Sequence, residues 1–111
     1  MKDDRLYLVH IQEAIRWIEE FTAGGKESFL NDRKTQDAVL RNLHTLSESA
    51  KKISPELKSL HPQVDWRSIS AFRNVVVHDY LGVDLDQIWD ILEKDLPVLK
   101  QEINRILESL K

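Results

Sequence analysis

The sequence predicts an all-α fold, an antiparallel four-helix bundle, and three observations carry that expectation. Apolar residues recur at steps of three and four in four separate stretches, the rhythm of helices with one buried face. The three glycines and three prolines divide those stretches or interrupt the last of them. The chain of 111 residues is 41% hydrophobic, enough for one core and fitting a single domain over residues 1–111.

The first stretch, about residues 4–22, places Leu8, Ile11, Ile15 and Ile18 on one stripe, which Trp17 and Phe21 widen. Gly24-Gly25 ends it. The second, about 34–53, repeats the pattern with Val39, Leu43, Leu46, Ala50 and Ile53. Pro55 and Pro62 bracket a polar connection. The third, about 66–81, is less regular. Ile69, Phe72 and Val76 give a helical stripe and Asp65 suits its N-cap, but Val75-Val76-Val77 is a β-branched run of poor helix propensity. A helix is expected here, because a lone strand among three helices would have nothing to pair with. Gly82 suits the left-handed position just past a helix end. The fourth stretch, about 84–110, runs through Leu85, Ile88, Leu92, Leu96, Leu99, Ile103, Ile106 and Leu110, with Asp84 as its N-cap. Pro97 lacks the N–H that would bond the carbonyl of Glu93, so a kink, or a restart capped by Asp95, is expected. The apolar faces of the first and last helices are wider than a narrow seam needs, which points to a dimerising bundle.

Composition excludes several functions. There are no cysteines, so disulfides, zinc-thiolate sites and thiol nucleophiles are out. No apolar run approaches the roughly 20 residues that span a bilayer, and the first residues carry no apolar leader, so no membrane association is expected and the cytoplasm is the expected compartment. Residues 1–60 balance in charge, and the net −3 falls in residues 84–111. With no basic stripe, tight non-specific duplex binding is not expected. The pairs Arg33-Lys34 and Lys51-Lys52 read as solvated helix faces. His10, His44 and His61 have no second ligand at metal spacing, so no metal or cofactor is expected, and Trp17, Trp66 and Trp89 read as core or interface anchors.

Polar chemistry concentrates in residues 73–80, where Arg73, Asn74, His78, Asp79 and Tyr80 surround three valines. At about 100° per residue, Asn74 and His78 share one helix face and Arg73 and Tyr80 another. Arg73 and His78 lie about 140° apart, so they converge only if the arginine bends round, the helix ends near His78, or a second subunit completes the cleft. By spacing alone, Arg73 and His78 read as a surface pair and Tyr80 as a packed ring with a bonded hydroxyl.

The stretch from Val64 to Lys100 adds more. Trp66-Arg67, then Arg73-Asn74, His78 with Tyr80, Gly82-Val83-Asp84, Trp89 and Asp95-Leu96-Pro97 together resemble the diagnostic core of the HEPN superfamily. Within it, the pattern is similar to the HepT-type toxins that pair with MNT-type nucleotidyltransferase antitoxins. The signature is Arg-x4-His-x-Tyr at Arg73, His78 and Tyr80. Asp65 departs from the pattern, standing where relatives often have proline.

That resemblance implies an α-helical homodimer in which the motifs of two subunits meet in one cleft, within a larger toxin–antitoxin complex if the antitoxin stays bound. It implies a metal-independent endoribonuclease with Arg73 and His78 as the catalytic pair and Asn74 as a polar supporter of the site. It implies an RNA substrate, and a nucleotidyltransferase partner that transfers AMP to Tyr80. Two other functions compete: a non-catalytic HEPN module that binds nucleotide or RNA and serves as scaffold or modification target, and a plain structural bundle. The intact Arg73 and His78 argue against the first, and the polar cluster among valines against the second.

Overall fold

The computed structural model describes residues 3–77 and 84–110, with side chains given for 3–72 and 84–110. Among these residues all regular structure is helical: α1 (Asp4–Phe21), α2 (Lys26–Asn31), α3 (Arg33–Lys52), α4 (Pro55–Leu60), α5 (Trp66–Val77), α6 (Leu85–Asp90), a π-helical turn (Ile91–Asp95) and α7 (Leu96–Ser109). The four long stretches expected from periodicity are present, and the two connections hold the short helices α2 and α4.

Each long helix buries the stripe its spacing dictates. Leu8, Ile11, Ile15 and Ile18 of α1 and Val39, Leu43, Leu46 and Ala50 of α3 are fully buried in one apolar cluster, shared with Ile69 and Phe72 of α5 and Leu99, Ile103 and Ile106 of α7. Helix α3 packs against both α1 and α5, and α1 also packs against α7.

Polar contacts fix the directions. Asp4, at the start of α1 and buried, accepts hydrogen bonds from the backbone N–H and the hydroxyl of Ser54, at 2.8 and 2.6 Å, just beyond the end of α3. The Lys52 ammonium stands 5.8 Å above the Tyr7 ring nearby. So α1 and α3 are antiparallel. Gln12 donates to Asn104 at 2.8 Å and Lys100 to Glu19 at 3.0 Å, which makes α1 and α7 antiparallel too. Ser54 also caps α4, whose first residue is Pro55: its Oγ accepts from the Leu57 N–H at 3.2 Å.

Gly25 takes φ +93°, a left-handed conformation that few other residues accept, and so turns the chain into α2. There Phe29 is buried with its ring 5.4 Å from that of Trp89, and Lys26 pairs with Asp86 at 3.3 Å, which ties α2 to α6.

Two expectations are refined. The fourth stretch neither restarts at Asp95 nor needs its side chain as a cap. The chain stays right-handed helical across Asp90, Ile91, Asp95 and Leu96, and the Leu96 N–H reaches back five residues to the Ile91 carbonyl. One widened turn shifts the carbonyls ahead of Pro97, so the ring that would collide with a regular α-helix is carried through. Trp17 and Phe21 do not enter the core. They stack on each other at 5.7 Å, both about 40% exposed, because the aliphatic residues of α1 already fill the space facing α3 and α7.

Candidate functional site

The site begins with how α5 is started. Asp65 precedes it, and its carboxylate accepts the backbone N–H and the hydroxyl of Ser68, at 3.0 and 2.6 Å, which satisfies a donor that the first turn leaves open. The indole N–H of Trp66 donates to the carbonyl of His61 at 3.1 Å. Ile69 and Phe72 then seat the helix in the core. Asp65 therefore performs the cap expected of it.

The Ser68 hydroxyl and backbone N–H together hold the Asp65 carboxyl below the usual carboxylate range. Its folded value is thus lower than its unfolded one. The stabilisation is complete above the unfolded value, near pH 4 by reference to free aspartate at about 3.9, and is lost as pH falls through the lower folded value. An NMR titration of the Asp65 carboxyl should give a midpoint below that of free aspartate, shifted back upward by Ser68→Ala. A midpoint at or above the free value in the wild type would contradict the cap.

Arg73 and Asn74 lie within α5, in its second half. Val75, Val76 and Val77 are in the same helix, so the β-branched run is helical despite its propensity. The packing of α5 on α3 outweighs a preference worth only tenths of a kcal/mol per residue. His78 and Tyr80 lie outside the described residues, as do Asp79 and Gly82. The structure thus sets Arg73 and Asn74 on one helix directly ahead of His78 in sequence.

The remaining histidines lie on or beside other helices. His10 is exposed on α1 with its ring T-shaped to that of Tyr7, centroids 6.3 Å apart, and His44 is half-buried on α3. Among the described residues no group of three histidine, aspartate or glutamate side chains is arranged to hold a metal ion. No helix among them is long and apolar enough to cross a membrane. One feature beside α5 that periodicity did not single out is an acidic groove containing Glu102; two separate stretches of chain, within 63–72 and 91–102, form it, so no local spacing signals it.

An all-α protein with an arginine and an asparagine in a core-packed helix, five and four residues before a histidine, falls in the class that the HEPN motif defines. The model of the family described as ribonuclease HepT-like matches residues 11–106, and the chain belongs to that family. It is 42% identical over 101 residues to a Thermococcus cleftensis protein named "Probable ribonuclease HepT", covering 90% of this chain and 92% of that one. It is 36% identical over 110 residues to a Methanocaldococcus jannaschii protein named "Gamma-glutamylcyclotransferase and putative RNase", covering 98% of this chain. The chain spans 50% of that relative's length. No solved structure matches the chain.

Proposed function

We propose that the chain is the toxin of a toxin–antitoxin pair, a metal-independent endoribonuclease neutralised by a nucleotidyltransferase. The observation that carries this reading is family membership over nearly the whole chain together with an intact Arg-x4-His-x-Tyr motif at Arg73, His78 and Tyr80. The relatives named as ribonucleases support the activity, and RNA is the substrate class it requires.

The chemistry follows from the residue types. Without a metal, RNA supplies its own nucleophile, the 2′-hydroxyl. The site must take a proton from that hydroxyl, return one to the departing 5′-oxygen and stabilise added negative charge on the phosphate. Histidine exchanges protons near neutral pH. Arginine stays charged and presents a forked donor set matched to phosphate oxygens. In a homodimer each cleft has two of both, so one His78 acts as base and the other as acid, with Asn74 assisting by hydrogen bonding. The exposed Leu6, Trp17, Phe21 and Leu60 leave apolar surface that association would cover, which supports a dimer. The products are a 2′,3′-cyclic phosphate and a 5′-hydroxyl.

Tyr80 is the proposed switch. An adenylate placed on its hydroxyl by the partner adds bulk and negative charge within the Arg-x4-His-x-Tyr motif, competing with the phosphate of RNA. The test is purified protein incubated with single-stranded RNA in EDTA, alongside the same oligonucleotide carrying 2′-deoxy sugars. Cleavage of the RNA alone, leaving cyclic-phosphate ends, is the expected result. An RNA left intact, or a deoxy strand cut equally, would reject the mechanism.

A further inference from the structure

An open groove of about 410 Å³ runs between α5 on one side and the π turn with α7 on the other. Its floor is aliphatic and aromatic, with Ile69, Phe72 and Leu99 buried beneath, and Val98 stands on its lip 60% exposed. Three carboxylates border it: Asp65, Asp95 and Glu102. No lysine or arginine lines it among the described residues. The side chain of Glu102 is only 15% exposed; one of its oxygens accepts from Arg105 at 3.1 Å, while Oε2 is buried with no hydrogen-bond donor among the described residues.

These features set the chemistry of what would fit. Three carboxylates and no lysine or arginine among the described lining leave the rim negative, and a cationic segment brought to it would be held there by charge. An apolar floor beneath an acidic rim complements a segment with aliphatic side chains on one face and lysine or arginine beside them, the arrangement of a helix laid into a groove. A second copy of the chain fits poorly. A two-fold contact sets the same patch against itself, and would gather both copies of Asp65, Asp95 and Glu102 with no lysine or arginine of the described lining to offset them. An enclosed small-molecule site fits poorly too, since such sites bury most of their ligand while Val98 here stands in solvent.

We infer that this groove is a docking site for a cationic amphipathic helix of a partner protein. The inference is independent of the ribonuclease reading. Because α5 carries both the groove residues Ser68, Ile69 and Phe72 and the motif residue Arg73, the docked segment sits along the helix that bears the proposed site.

The test uses a fluorescein-labelled helical peptide of roughly 18 residues, leucine on one face and lysine on the other, and its counterpart with glutamate for lysine. Fluorescence anisotropy should show the lysine peptide binding and the glutamate peptide at least about tenfold weaker. Glu102→Gln and Asp95→Asn should each weaken the lysine peptide several-fold, and NMR should show the Val98 methyls shifting on its addition. Glu13→Gln and Glu56→Gln, exposed carboxylates outside the groove, should leave binding unchanged. The inference is overturned by equal binding of the two peptides, by no binding of the lysine peptide, or by an affinity indifferent to the groove substitutions. It is also overturned if light scattering shows a dimer that Val98→Asp dissolves, for then a second copy fills the groove.

Discussion

Replacing His78 with alanine is expected to slow RNA cleavage by about 10²–10⁴-fold, the range that positioned proton transfer contributes. The substitution removes the group proposed to move protons between the 2′-hydroxyl, the leaving oxygen and the site, and leaves Arg73 in place to bind phosphate. The loss should therefore fall in kcat, with KM little changed. Arg73→Ala should differ: the guanidinium is proposed both to hold the phosphate and to stabilise its extra charge, so kcat and KM should both suffer. Arg73→Lys should recover little, since an ammonium restores the charge but not the forked geometry. The wild-type rate should follow a bell-shaped pH profile, because one histidine must start deprotonated and the other protonated. Full activity in His78→Ala would remove that residue from the mechanism. Thermal melts of each variant separate lost chemistry from lost fold.

Leu43→Ala is expected to be the most damaging single truncation for stability, costing about 2–5 kcal/mol. Leu43 is fully buried in the middle of α3, the helix that packs against both α1 and α5. Its removal forfeits apolar burial and leaves a cavity that helices held on two sides cannot easily close. The melting temperature should fall by roughly 10–20 °C, and urea denaturation should show a lower midpoint at an unchanged slope. The contrast is Leu60→Ala. Leu60 is 68% exposed, so its truncation should stay within about 0.5 kcal/mol. If the two variants melted alike, the assignment of α3 to the centre of the core would be wrong.

Much of this fold is readable from spacing. The stripes of α1, α3 and α7 are those that periodicity marks, since a long amphipathic helix has only one way to bury its apolar face. The caps at Asp65 and Asp84 were also legible, because an aspartate ahead of an apolar run offers its oxygens to backbone N–H groups that have no helical partner. Pro97 was legible as a disturbance but not in its outcome. Whether a proline kinks a helix, ends it or passes through a widened turn depends on what its neighbours must bury, and Leu92, Leu96 and Leu99 all remain in the core here. Trp17 and Phe21 show the complementary failure. An aromatic at the edge of a stripe is counted as apolar, yet its depth depends on how much room the facing helices leave.

For the site, the sequence by itself determined the chemistry available: a guanidinium, an imidazole, an amide and a phenol within eight residues, in a pattern that places the chain in its family. Those are local facts, carried by residue identity and short separations. Tertiary structure alone decided what joins residues far apart. It supplied the packing on α3 that holds Val75-Val76-Val77 in the expected helix against local propensity. It tied Asp4 to Ser54 across 50 residues, and it brought Asp65, Asp95 and Glu102 round one apolar groove. No periodicity encodes such meetings, because they depend on which helix faces find each other when the core closes.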